Sequence, residues 1–162
     1  MWLTRRHLLA HASAGLACSF GAVARADLLP NLSSGPIAVR GFDVVSYFLD
    51  GPEPGLVAYE AAWAGKAWRF ARAANREAFR RDPSSYAPRL GGFDPVGILA
   101  GRLVDTDPLV FARCPGPAGV ERLYLLRSAE HRAQILTDPG LAMRAETRWP
   151  ALKDQVERDF PE

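Results

Sequence analysis

Ala74-Asn75-Arg76-Glu77-Ala78-Phe79-Arg80-Arg81-Asp82-Pro83-Ser84-Ser85-Tyr86-Ala87-Pro88-Arg89-Leu90-Gly91-Gly92-Phe93-Asp94-Pro95-Val96-Gly97-Ile98-Leu99-Ala100-Gly101 is the stretch around which the chain is organised. It predicts a short helix that buries Ala78 and Phe79 and leaves Arg76, Arg80 and Arg81 in water. Asp82-Pro83 stops that helix, a Tyr/Pro turn follows, and Gly91-Gly92 makes a bend. A second short helix then starts with Asp94 as N-cap and Pro95 at the first helical position, and Gly101 lies past its end. An N-cap beside paired glycines is a place where backbone N–H groups can meet a ligand, so Asp94 is expected near whatever binds.

Upstream, Ile37-Ala38-Val39 reads as a short strand. Gly41-Phe42-Asp43 leads into Val44-Val45-Ser46-Tyr47-Phe48-Leu49, whose apolar spacing is helical, with Asp43 as N-cap and Gly51 as stop. Leu56–Ala64 alternates, placing Val57, Tyr59, Ala61 and Trp63 on one face. Gly65-Lys66 reads as a turn, and Ala67–Ala71 returns with Trp68 and Phe70 on one face. Aromatic residues on a hairpin are more often core than binding platform.

Downstream, Arg102–Asp105, Leu109–Arg113 and Arg122–Leu126 are strand candidates, the last two paired with each other. Ser128 starts a helix over Ala129–Leu136. Asp138-Pro139 starts another carrying Leu141, Ala142, Ala145 and Trp149, bent or ended at Pro150, with Ala151–Phe160 as a polar continuation. No internal repeat, low-complexity tract or linker is evident. Interleaved hairpins and short helices predict one α+β domain over 37–162, built on a small antiparallel sheet.

The first 26 residues read as an export signal. Thr4-Arg5-Arg6-His7-Leu8-Leu9 precedes an apolar stretch ending in Ala24-Arg25-Ala26, a small-x-small cleavage site. The paired arginines resemble a twin-arginine signal, which implies a periplasmic protein. The apolar run is shorter than the ~20 residues a membrane span needs. Residues 27–36 read as an extended arm.

The chain has 162 residues, 20 basic and 18 acidic, for a net charge of +2. Removing Arg5, Arg6 and Arg25 with the signal leaves 17 basic against 18 acidic, a net −1 that offers nothing to nucleic acid or an anionic membrane. Cleavage also removes Cys18, His7 and His11. Cys114 and His131 remain, so neither an internal disulfide nor a Cys/His zinc cluster can form within one chain.

Several motifs, in this order, resemble the exported branch of the YHS-domain family. They are Val39-Arg40-Gly41-Phe42-Asp43-Val44-Val45-Ser46-Tyr47-Phe48, Ala64-Gly65-Lys66-Ala67-Trp68-Arg69-Phe70-Ala71, Asn75-Arg76-Glu77-Ala78-Phe79 with Asp82-Pro83 and Tyr86-Ala87-Pro88, and Gly91-Gly92-Phe93. Leu123-Tyr124-Leu125, Asp138-Pro139-Gly140 and Arg148-Trp149-Pro150 follow. The resemblance implies a small YHS-like α+β fold, a periplasmic location and a binding or accessory role, with a metal ion as the usual suspected ligand. Where such proteins read Gly-Gly-Tyr-Cys, this chain reads Gly91-Gly92-Phe93-Asp94. A carboxylate keeps the charge at the helix start but loses thiolate chemistry and soft-metal affinity.

The candidate ligand-binding residues are therefore Asp43, Tyr47, Tyr86 and Asp94. Asp43 and Asp94 are the candidate metal ligands or, as the alternative, the acid/base pair of a small hydrolase or lyase. A scaffold protein without a ligand is the third reading. The sequence holds no nucleophile elbow, phosphate loop or H-E-x-x-H motif.

Overall fold

The structure is a computed structural model and describes residues 35–159. The expected export signal, Cys18, most of the expected N-terminal arm and Phe160 lie outside the described residues.

The chain is α+β, with the order β1 (Phe42–Asp43), β2 (Glu53–Pro54), β3 (Leu56–Trp63), β4 (Lys66–Phe70), α1 (Ala73–Arg81), α2 (Pro83–Tyr86), α3 (Pro95–Leu99), β5 (Asp107–Pro115), β6 (Glu121–Leu126), α4 (Ala129–Thr137) and α5 (Gly140–Asp159). The strands form not one sheet but three antiparallel two-stranded ribbons, β1–β2, β3–β4 and β5–β6. An isolated two-stranded ribbon is marginal in water, so each leans on helices for its stability. None of the described helices is long and apolar enough to cross a membrane.

Several local expectations change. Ile37 makes one parallel bridge to Ala67, and Ala38–Gly41 is a 3-10 turn rather than a strand. The helix expected after Asp43 is only the 3-10 turn Ser46–Phe48. Arg102–Asp105 is not a strand. The first hairpin turns at Ala64-Gly65, because Trp63 pairs with Lys66 and both turn residues have positive φ, 48° and 70°. That is the backbone twist a two-residue hairpin favours. A bulge between Leu56 and Glu60 disturbs the face of β3, so Ala61 is buried while Val57 is 46% exposed.

The structure also contains an internal repeat, which the sequence reading did not detect. Val39, Arg40 and Gly41 have φ of 47°, 49° and 86°, while Leu90, Gly91 and Gly92 have 60°, 65° and 88°. Each turn runs into Phe-Asp and then a short helical turn. The β3–β4 register Leu56↔Phe70, Glu60↔Arg69, Ala61↔Trp68, Trp63↔Lys66 matches Asp107↔Leu126, Phe111↔Leu125, Ala112↔Tyr124, Cys114↔Arg122 in β5–β6, with the bulge in the same place. Equivalent residues are 51 apart up to the hairpin tip and 56 apart after it, because the second tip is five residues longer. α1 and α4 then correspond, each ending at an Asp-Pro. The units thus run 37–87 and 88–139, and α5 is an addition to the second.

The core follows this plan. Val44, Val45, Trp68, Phe70 and Phe79 fill the first unit. Ile98, Tyr124, Leu126, Ile135 and the α5 residues Leu141, Ala142, Ala145 and Leu152 fill the second. Phe79 and Ile135 are equivalent positions, and both are completely buried. A third cluster joins the units: Tyr47 of the first packs with Leu123 and Leu125 of the second, beside Phe42, Phe48 and Phe111. Leu123-Tyr124-Leu125-Leu126 is a continuous apolar run because its two faces serve different clusters. The positions equivalent to Phe111 and Leu125 in the first unit are Glu60 and Arg69, paired at 3.1 Å.

Candidate functional site

Asp43 and Asp94 occupy equivalent positions and do the same work. Asp43 Oδ1 accepts from the N–H groups of Val45 (2.9 Å) and Ser46 (3.4 Å). Its Oδ2 accepts from Ala71 N (2.8 Å) and Asn75 Nδ2 (2.6 Å). The Ser46 hydroxyl donates to the backbone carbonyl of Asp43 at 2.6 Å rather than to its carboxylate. Asp94 Oδ1 accepts from Val96 N (2.7 Å) and Gly97 N (3.2 Å), capping α3 as the sequence predicts. Its Oδ2 takes Arg127 N at 2.6 Å and lies 2.8 Å from His131 Nδ1. An ionised carboxylate only accepts, so the hydrogen of that contact sits on Nδ1.

Each aspartate therefore ties the start of its unit to the strand end and helix start that follow the hairpin. Both are completely buried, and both oxygens of each are taken by N–H donors. Buried carboxylates held this way fix structure. A metal ion would have to displace those donors, and among the described residues no group of three or more His, Cys, Asp or Glu is placed to hold one. The donor set does not fit a metal centre at Asp43 or Asp94. Acid/base work on a substrate would require the same displacement.

Tyr47 is buried, donates its hydroxyl to Pro108 O at 2.7 Å and meets Phe111 edge-on at 5.1 Å. Burial first, then the charges of Asp107 and Asp43, push its phenol far above the ordinary value. Tyr86 packs edge-on against Phe48 at 5.6 Å. Cys114 is buried in the second core, and burial followed by Glu121 raises its thiol, so it is not a ready nucleophile.

None of the four candidate residues lines a cleft of about 890 Å³ that lies between the two units. Its walls are the turn Ile37–Arg40, the first hairpin tip with Trp63, Ala64 and Lys66, the connector Ala87–Phe93, residues from Asp105 to Pro108, and Trp149, Pro150 and Lys153 of α5. The glycines that announced Asp94 do reach it: Gly91 and Gly92 face the cleft while the Asp94 side chain turns into the core. Gly91 lies against the Trp149 indole, where an added Cβ would meet Cζ2 at 3.3 Å. Phe93 stands beside Trp149 with ring centres 6.0 Å apart.

Glu146 closes one side. Its carboxylate receives Arg89 Nε at 3.0 Å, the Tyr124 hydroxyl at 2.5 Å, and Arg122. Burial pulls this carboxyl up, but Tyr124, Arg89 and Arg122 together bring it below the ordinary value. Tyr124 is pushed up in turn, first by burial and then by Glu146.

Backbone strain concentrates at this cleft. Of the five described non-glycine residues with positive φ, four line it: Val39, Arg40, Ala64 and Leu90. Left-handed backbone costs roughly 1–2 kcal/mol at such a residue, and Val39 is β-branched, the least tolerant kind. Arg40 occupies the place that Gly91 fills without strain in the second unit.

Compared with family models, with curated proteins and with solved structures, the chain matches none.

Proposed function

We propose that the chain is an exported, YHS-like binding module of the periplasm, and that its ligand is an organic molecule held in the cleft between the two units. The observation that carries the reading is the strain: four left-handed non-glycine residues line one cavity. Strained backbone persists where surrounding structure enforces it, and it gathers at ligand sites. The cleft volume lies in the range of small-molecule sites, and Trp63, Phe93 and Trp149 supply aromatic contact area.

The family resemblance and export rest on the order of the motifs and on the Arg5-Arg6 leader. A metal ion is the weaker form of the reading, because the carboxylates that would bind it are committed to N–H donors. A hydrolase or lyase built on Asp43 and Asp94 meets the same objection.

A thermal-shift panel of metabolites and metal ions on the exported chain tests the proposal. An organic compound should raise the melting temperature in proportion to its saturation, and the effect should vanish in Trp149→Ala. A rise produced by metal ions alone would replace this reading. N-terminal sequencing of protein from the periplasmic fraction tests export, with Asp27 the expected first residue.

A further inference from the structure

We infer that the ligand of this cleft is an organic anion with a flat, unsaturated body, bound through Arg40, Lys66 and Arg89; the inference rests on the cleft being the ligand site.

The charges around the cleft are unequal. Arg40, Lys66, Arg89 and Lys153 line it, against Asp105 and Glu146. Glu146 is already surrounded by Arg89, Arg122 and Tyr124. Arg40 and Lys66 make no ion pair with any described residue. Among the described residues, Arg40 and Lys66 stand against the likewise unpaired Asp105, an excess of positive charge that favours a negative ligand at the cleft.

Arg89 is held for the same use. Its Nε and one terminal nitrogen contact Glu146 at 3.0 and 3.5 Å, leaving the Nη1 group without a hydrogen-bond partner among the described residues. Glu146 fixes the plane of the guanidinium, and its other two partners keep it compensated when Arg89 engages a ligand. A guanidinium fixed in this way presents a fork suited to a carboxylate.

Arg40 is the most specific part of the argument. At a backbone position where the second unit has glycine, the first unit keeps an arginine with φ of 49°. Stability alone would favour glycine there. Arg40 lines the cleft, so a charge at that point has a use that folding does not supply. The aromatic walls set the other half of the ligand. Trp63 and Trp149 line the cleft, and flat π-systems pack on aromatic rings in offset or edge-on geometry.

The test uses the full exported chain and named probes: 2-naphthoate and indole-3-acetate, their neutral amides, 2-naphthylmethylamine and acetate. Binding is read by calorimetry and tryptophan fluorescence. The two aromatic carboxylates should bind, their amides roughly tenfold or more weakly, and affinity should fall with added salt. Arg40→Gly should weaken the carboxylates about tenfold while the melting temperature stays level or rises. Trp63→Leu should weaken carboxylates and amides alike. Equal binding of amides or the amine, abolished by Trp149→Ala, would overturn the anion and leave the cleft as the site. Unchanged carboxylate affinity in Arg40→Gly would overturn the inference as well. Absence of Trp149-dependent binding by every probe would overturn both the ligand class and the cleft.

Discussion

Two aspartates that invite reading as a pair of catalytic or metal-binding carboxylates are two copies of one structural device. Losing either leaves its N–H donors without their acceptor, the buried ones of Val45, Ser46 and Asn75 around Asp43 and of Gly97 at Asp94 among them. Asp94→Ala and Asp43→Ala should each destabilise by about 3–5 kcal/mol, measured by urea unfolding. The equivalence of Asn75 and His131 allows a sharper version. His131→Asn should be tolerated within about 1 kcal/mol, because an amide fills the same role on Asp43, whereas His131→Leu leaves Oδ2 of Asp94 short of a donor and should cost about 1–3 kcal/mol. Equal losses for the two substitutions would show that the His131–Asp94 contact contributes nothing to stability. The strained residues behave in the opposite way. Ala64→Gly relieves a positive φ in a tight turn and should stabilise by about 0.5–1 kcal/mol.

At the scale of elements, the Glu146 cluster joins the connector, β6 and α5 through Arg89, Arg122, Tyr124 and Glu146. Its carboxyl is held below its ordinary value of 4.5. A depressed carboxyl contributes stability above the unfolded value and loses it as the pH falls through the folded value. Stability of the natural chain should therefore decline below about pH 4.5, and Glu146→Gln should lack that part of the decline while being less stable at neutral pH. Unfolding free energies measured from pH 3 to 7 check both signs. The hairpins were the most legible elements, because β-rich runs between Gly and Pro punctuation announce themselves. The β5–β6 pairing, the α4 N-cap at Ser128 and the Asp94 cap on α3 follow from local chemistry alone. The bulge on β3 and the left-handed turn before Asp43 were not legible, since the bulge carries no glycine or proline and the turn puts left-handed backbone at Val39 and Arg40, ahead of its glycine. The second hairpin tip is a simple extension of the first. Replacing Pro115–Glu121 with Asn-Gly should therefore leave the far-ultraviolet spectrum intact and shift the melting temperature only slightly.

At the scale of the molecule, two similar units share a contact that only one of them was shaped for. Leu123 and Leu125 turn a second apolar face toward Tyr47, where the first unit has Ala67 and Arg69. This asymmetry makes one cooperative body of two small units. Leu125→Ala should cost about 2–5 kcal/mol and broaden the unfolding transition, seen by calorimetry. The repeat escaped the sequence reading because its identities are sparse. Gly41-Phe42-Asp43 against Gly92-Phe93-Asp94, and Asp82-Pro83 against Asp138-Pro139, are the clearest, and the longer tip breaks their phase. The candidate site was less legible still. Attention falls on carboxylates, tyrosines and His131, but the cleft is walled by a turn, a hairpin tip, a connector and the end of a helix that meet only in space. Trp63, Trp68 and Trp149 read as core from their spacing, and no pattern in the sequence marks Arg40 as a residue in a glycine's conformation.

The most direct test of the cleft is a two-dimensional NMR titration of the 15N-labelled chain with 2-naphthoate, followed at the tryptophan indole N–H signals. The Trp63 and Trp149 signals and the backbone amides of Arg40 and Gly91 should move together along one saturation curve, with the amides of Val45 and Ser46 around Asp43 unmoved. Shifts centred on the Asp43 or Asp94 shells, with the Trp149 indole unchanged, would contradict the cleft as the binding site.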